Sequence, residues 1–494
     1  MRGNEPVVSA PTGNVSPVNM NVLLWVFAIS GFCALGYEVV WFRALLLALH
    51  NNTYVFSVML ATFLTGLTLG SYLISRLLDQ DRNWITILAY IEIAIGVVAA
   101  LTIPLFIAYH NTSFLEMRPA LATSFRSVTL VGFLLSALMM FVPTLLMGAA
   151  LPIFNKLYIN SMGVVGRKIG SLYAVNTLGA VLGSFVVGFL LIPYIGFIKS
   201  GFLLAVLNVA GGVMIAASTR TAVIAGRKTA YVLGASLIVL GIGGMVSLGK
   251  PSDFHILMME DTRTLFYKEG ASSTVTVVEK KGMRAAFSNG NIVVGSAPGA
   301  LQTVRLLAHL PLLTHPEPRS AVVIGFGMGV TTHSVSLYPL PVIDVVEIAP
   351  EILDGAKFFQ EINHGVIQDS RLKLVIEDGR NYLLRTRKRY SVITADPTHP
   401  ILGSGNLYTR EYYRQCHDKL DDDGVMVQYV PMHLLGDREF RTLIRTFASV
   451  FEHASLWYTA TATWSLWGRR HHGCSITRVW RSGCAGRRST RIWG

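Results

Sequence analysis

The chain has 494 residues, 52% of them hydrophobic and 14% charged, with a formal net charge of +13. That length exceeds one ordinary domain, and that composition excludes both a fully soluble protein and a disordered one. The charge does not call for a nucleic-acid partner, because residues 466–494 alone contribute seven arginines and no acids.

Residues 1–20 are polar and rich in Pro, Asn, Gly and Ser, a disordered lead-in with no cleavable signal, since the first apolar run starts late and is too long. Runs of about twenty apolar residues then follow, each long enough to cross a bilayer. They lie near 22–49, 54–78, 85–109, 128–154, 169–193, 197–217 and 229–248, so residues 21–249 read as a transmembrane domain of about seven helices. Glu38 and Arg43 stand close together in the first run and Glu92 lies in the third. A charge in hydrocarbon calls for a partner or a role, and the plain reading is mutual pairing or snorkelling to the interface. Gly66 with Gly70, and Gly179 with Gly183, form Gly-x-x-x-Gly pairs that let helices approach closely. Pro104, Pro143, Pro152 and Pro193 interrupt the runs without marking two corresponding halves, as a transporter would.

The loops on the N-terminal side carry Arg76, Arg82, Lys156, Arg167, Lys168, Arg220, Arg227 and Lys228, against Arg118, Arg126, Lys199 and Lys250 on the other. With seven spans, this count places the N-terminus inside and the C-terminal domain outside.

Residues 250–298 read as a linker and a small antiparallel β cap, with strands at Ser273–Glu279, Met283–Ser288 and Asn291–Val294. Turns at Lys280-Lys281-Gly282 and Asn289-Gly290 join them, the latter a strong hairpin signal. A helix over Ala300–Leu312 leads to a strand, Ala321–Ile324, that meets Gly325, Gly327 and Gly329. A second apolar run, Val342–Val346, ends at Glu347. Glycines let the backbone turn tightly beside a ligand, and a carboxylate ending the next strand can accept both ribose hydroxyls. The tight Gly-x-Gly-x-Gly spacing lacks the later glycine of a dinucleotide fingerprint and favours an S-adenosyl ligand over NAD.

Beyond it, Pro350 opens a helix to about Glu361, and strand Leu372–Ile376 ends at Glu377-Asp378-Gly379. A helix to about Arg387 precedes strand Ser391–Ala395, which ends at Asp396. Helix Arg410–Leu420, strand Val425–Val430, a helix from Asp437 and a strand near Ser455–Tyr458 complete residues 299–465 as a doubly wound parallel sheet. Ligands of such sheets sit at the carboxyl ends of strands, where Gly325, Glu347, Asp378 and Asp396 all fall. Asp378 before a helix also suits an N-cap, and Asp396-Pro397 also suits a turn. From Leu466 onward the chain is Arg, Trp, Gly, Ser, Cys and His without periodicity, reads like a shifted reading frame, and is expected to be dispensable for folding. Four cysteines, Cys33, Cys416, Cys474 and Cys484, lack paired spacing, so neither a disulfide framework nor a metal site is read.

Between residues 265 and 460 the chain resembles the spermidine synthase (polyamine aminopropyltransferase) family, in particular its membrane-fused members. The resemblance rests on Asn289-Gly290, Ala308-His309-Leu310-Pro311, the Gly-rich turn, Val346-Glu347-Ile348 and Glu377-Asp378-Gly379-Arg380. It is extended by Val392 to Pro400 and by Asn406-Leu407-Tyr408-Thr409-Arg410-Glu411-Tyr412-Tyr413. It implies an S-adenosylmethionine-dependent transferase fold of the Rossmann-like type and an aminopropyl transfer in polyamine biosynthesis. The co-substrate would be decarboxylated S-adenosylmethionine or S-adenosylmethionine, with no metal. Gly325, Gly327, Gly329, Glu347, Asp378 and Gly379 would hold it, Glu347 at the ribose and Asp378 at the adenine amino group. Asp396 would be the catalytic acid residue, and His399 and Tyr408 would meet a small-molecule amine.

The implied partners are a lipid bilayer and a second copy in a homodimer, with no nucleic acid. The implied place is a bacterial-type inner membrane with the catalytic domain in the cytosol, against the charge count. Family acids are replaced by Met328 and His399, and other family positions by Val293, Thr303 and Val304. A polycationic acceptor would lose its paired carboxylates there, which points to a less charged amine. Two further readings stand beside this one: a methyltransferase of other specificity, and a transporter or scaffold with a nucleoside-sensing domain.

Overall fold

The computed structural model describes residues 20–48, 55–111, 125–158, 165–218, 262–397, 404–431, 435–460 and 463–470. The chain falls into two compact units that part near Pro251.

The first unit is helical: α1 (Met20–Ala48), α2 (Val55–Ser75), α3 (Trp84–Asn111), α4 (Phe125–Tyr158), α5 (Val165–Val186), α6 (Ile192–Ile195) and α7 (Phe197–Ser218). A π turn, Val187–Leu191, joins α5 to α6, and Gly196 with φ 85° separates α6 from α7. Six helical stretches here are long and apolar enough to cross a membrane. They match six of the seven predicted runs, while the run at 229–248 lies outside the described residues, as do residues 1–19.

The Gly-x-x-x-Gly pairs are packing devices. A Cβ on Gly66 or Gly70 would collide with Thr144 or Leu145 of α4, and one on Gly179 or Gly183 with the backbone of Ala28 or Phe32 of α1. Glu92, 1% exposed, accepts from Asn208 Nδ2 at 2.8 Å, which ties α3 to α7 inside the bundle. Arg43 is buried as well.

The second unit begins with four antiparallel strands, β1 (Arg263–Glu269), β2 (Thr274–Lys280), β3 (Met283–Ser288) and β4 (Asn291–Gly295), in the order β1-β2-β3-β4. The predicted cap contained three of them; β1 occupies what read as the end of the linker. Lys281 and Asn289 take left-handed φ at the two tight turns, as the turn signals require.

Helix α8 (Pro298–Thr314) leads into a seven-stranded sheet made of β5 (Ser320–Ile324), β6 (Val342–Glu347), β7 (Leu372–Ile376), β8 (Tyr390–Ala395), β9 (Leu420–Pro431), β10 (His453–Ala460) and β11 (Thr463–Arg469). The strand order is β10-β11-β9-β8-β5-β6-β7. Helices α9 (Val330–Ser336), α10 (Pro350–Ala356), α11 (Gln360–Asn363), α12 (Gly379–Arg385), α13 (Arg410–Lys419) and α14 (Asp437–Ala448) connect them. The helix expected from Pro350 to Glu361 is broken by a 3-10 turn at Lys357–Phe359.

Strands β7, β6, β5, β8 and β9 run parallel, whereas β11 is antiparallel to both of its neighbours. The wholly parallel sheet expected from the alternation is corrected at this edge, because β10 and β11 are joined too closely for a crossover and must pair as a hairpin. One apolar core lies under the cap and α8, with Val275, Met328, Val345 and Phe359. A second lies under α12 to α14, with Tyr390, Tyr412, Phe447 and Leu466.

The boundary drawn at Leu466 is corrected too. Leu466 and Trp467, each 2% exposed, are core residues of β11, which lies inside the sheet between β9 and β10. Residues 471–494 lie outside the described residues.

Candidate active site

A cleft opens at the carboxyl ends of β5, β6, β7 and β8, lined among others by Gly325, Gly327, Glu347, Asp378, Gly379 and Asp396. These are residues that the parallel sheet was expected to gather there. Gly325, Gly327 and Gly329 hold φ of 93°, 55° and 82°, so the turn after β5 needs residues without a Cβ at all three places. A Cβ on Gly325 would also press to 3.3 Å of the Asp396 carbonyl.

Glu347 is 4% exposed. Its Oε2 accepts the backbone N–H groups of Phe326 at 2.9 Å and Gly327 at 3.4 Å, and its Oε1 accepts that of Ala349 at 2.9 Å. Burial raises its pKa, and these backbone donors offset part of the rise. Asp378 accepts from the Asn381 N–H at 2.9 Å and caps α12, as the plainer reading of that residue had it. Glu377, which also lines the cleft, is paired with Arg385.

Asp396 follows β8, and its N–H donates to Ile324 O at 3.0 Å, which fixes it beside the Gly-rich turn. Its Oδ2 lies 2.7 Å from Thr331 Oγ1, and its buried Oδ1 has no hydrogen-bond partner among the described residues. Burial pushes its pKa up to about 7, partly offset by the Thr331 hydroxyl. A carboxyl that is half ionised near neutral pH is suited to receiving a proton from an amine.

The remaining candidates fall elsewhere. Tyr408 is buried and does not line the cleft; its hydroxyl donates to Pro397 O at 2.7 Å, and so supports the residue next to Asp396. His399 lies outside the described residues. Met328, at a position where the resemblance calls for an acid, is 2% exposed and packs in the core under the cap.

The cap supplies a neutral polar wall that the sequence reading did not assign to the site, Ser272, Ser273, Ser288, Asn289 and Asn291, beside the apolar Val293. Its one legible signal was Asn289-Gly290, since that turn brings Asn289 Oδ1 to the Thr274 N–H at 2.9 Å. Thr331 was also missed, because its meeting with Asp396 is made by tertiary packing and leaves no mark on local spacing.

Residues 302–475 match the profile of the spermine/spermidine synthase domain. The chain is similar to a polyamine aminopropyltransferase of Moorella thermoacetica, 29% identical over 42% of this chain and 74% of that protein. It is also similar to one of Methanocaldococcus jannaschii, 35% identical over 25% of this chain and 42% of that protein, so this second match spans less than half of its relative. A solved spermidine synthase from Thermotoga maritima superposes with a TM-score of 0.39 at 21% identity, covering 42% of this chain and 73% of that one.

Proposed function

We propose that this chain, whose C-terminal domain belongs to the spermine/spermidine synthase family, is a membrane-anchored aminopropyltransferase. The donor in this reading is decarboxylated S-adenosylmethionine and the acceptor is an amine. The observation that carries it is Asp396: a carboxyl pushed up to about 7, with one oxygen unpartnered among the described residues, at the same cleft as Glu347 and the Gly-rich turn.

The acceptor nitrogen attacks the aminopropyl carbon beside the sulfonium, the carbon–sulfur bond breaks, methylthioadenosine leaves, and the nitrogen's surplus proton passes to Asp396. An amine attacks only through its lone pair, so a carboxylate that accepts this proton both orients the nitrogen and keeps it nucleophilic. Glu347 binds the ribose hydroxyls with the lone pairs that its backbone donors leave, and Asp378 meets the adenine. Gly325 and Gly327 let the backbone approach the sulfur-bearing chain.

The acceptor carries fewer charges than a long polyamine. Among the described cleft residues Glu347 is taken up by backbone donors, Asp378 caps a helix, Glu377 pairs with Arg385, and Met328 faces the core. Asp396 is then the carboxylate left to meet a cationic nitrogen, and desolvating further ammonium groups would go uncompensated.

The six described spans lie in the bilayer in this reading, with the loops that bear Arg76, Arg82, Lys156, Arg167 and Lys168 on the cytosolic side. The C-terminal domain is cytosolic in this reading because an S-adenosyl donor is a cytosolic compound, and a fluorescent fusion after Lys250 that stays dark while an alkaline phosphatase fusion is active would refute it. For the chemistry, the full chain is incubated with each donor in turn. Methylthioadenosine from the decarboxylated donor supports the reading; S-adenosylhomocysteine from S-adenosylmethionine would replace it with methyl transfer.

A further inference from the structure

The hydroxyl of Thr331 stands between two acceptors: Asp396 Oδ2 at 2.7 Å and the Val304 carbonyl of α8 at 3.1 Å. A hydroxyl has one hydrogen and can donate to only one of them at a time. Thr331 is 2% exposed, on the first turn of α9 directly after the Gly-rich turn, so neither water nor rotation of an exposed side chain relieves the competition.

We propose that Thr331 is a positioning residue that holds Asp396 by Oδ2, favours its ionised form, and leaves Oδ1 as the oxygen that takes the acceptor's proton. The inference deepens the transferase reading and rests on it for the identity of the proton donor. With Asp396 ionised, the Thr331 hydrogen points to the charged oxygen, the stronger acceptor and the nearer one. When a nitrogen–hydrogen bond of the bound amine breaks and the proton settles on Oδ1, Oδ2 becomes a weaker acceptor and the hydrogen turns to Val304 O. Neither state strands the hydroxyl, so the proton can arrive and leave without a buried hydrogen bond being lost.

Among the described residues Oδ1 has no hydrogen-bond partner, and a substrate nitrogen would supply one. Among the described residues, the other titratable groups that face Asp396 are the buried phenols Tyr408 and Tyr429, neither of which bonds to its carboxylate. Burial and the charge of an ionised Asp396 both oppose their ionisation, so they stay neutral, and Thr331 is the described side chain that stabilises the carboxylate.

The test is an infrared titration of the purified full chain carrying carbon-13 aspartate, with Asp396→Asn identifying the Asp396 carboxyl band. Thr331→Val keeps the shape and removes the hydroxyl, and should move the Asp396 midpoint up by about one pH unit; Thr331→Ser should leave it in place. The acidic limb of the transfer rate should move with it. An unmoved midpoint in Thr331→Val, or an equal shift in Thr331→Ser, would overturn the proposal. Should the valine variant misfold, Thr331→Ala carries the same expectation. Because the infrared midpoint needs no turnover, a shift in a chain that transfers nothing would keep the role of Thr331 and remove the transferase reading instead.

Discussion

Glu347 Oε2 accepts the Phe326 N–H at 2.9 Å, so the carboxylate that ends β6 also ties down the Gly-rich turn after β5. The same side chain therefore serves the fold and the cleft. Glu347→Ala should weaken methylthioadenosine binding and also lower the melting temperature, with about 1–3 kcal/mol lost from the unpaired backbone donors. Glu347→Gln should lose part of both, since its amide end can only oppose an N–H. Calorimetry and melting of the two variants check this; a glutamine variant that binds and melts like the parent would show that the charge is not needed.

Asp396 makes stability depend on pH. An aspartate of the unfolded chain titrates near about 3.9, whereas Asp396 in the fold is pushed up to about 7. Between those values the folded state holds the extra proton, so stability falls as pH rises through the window and the deficit is complete above it. Asp396→Asn cannot ionise, and should melt higher than the parent at pH 8 while the difference closes toward pH 4. A variant that melts lower at pH 8 would show that the carboxylate is better solvated than its burial implies.

Met328 tests whether the lost acid can simply be put back. Its side chain is packed among Val275, Val277 and Phe359 under the cap. Met328→Asp should destabilise the domain by about 3 kcal/mol or more, through a buried carboxylate without a partner. Binding of a diamine should not improve, and a tighter diamine complex with an unchanged melting temperature would place position 328 at the cleft after all.

The end of the chain gives the sharpest reversal. Ending the chain at Trp464 removes Leu466 and Trp467, and strips β9 and β10 of the strand between them. Loss of a buried tryptophan alone costs about 3–5 kcal/mol. The truncated chain should fail to fold its C-terminal domain, whereas ending it after Arg470 should spare the sheet. Equal melting of both truncations would restore the dispensable tail.

The strands before and after Gly325–Gly329 were readable in the sequence because buried parallel strands are continuous apolar runs, and three glycines in five positions mark left-handed backbone. Glu347, Asp378 and Asp396 could be placed because strand ends in such a sheet share one edge. Strand β11 was not readable, since Leu466-Trp467-Gly468-Arg469 lacks alternation and sits beside an arginine-rich end. Nor was the inward turn of Met328, which depends on where the cap packs. In the bundle, the glycine pairs announced close contacts but not which helices make them.

The most direct test follows the acceptor. The full chain, in detergent, is given decarboxylated S-adenosylmethionine and a panel of amines of increasing charge, and mass spectrometry reads whether an acceptor gains one aminopropyl group. Gain on a monoamine or short diamine, weaker gain on longer polyamines, and none with Asp396→Asn is the predicted result. An unchanged rate in Asp396→Asn, or no aminopropyl gain on any amine while the donor still binds, would contradict the account.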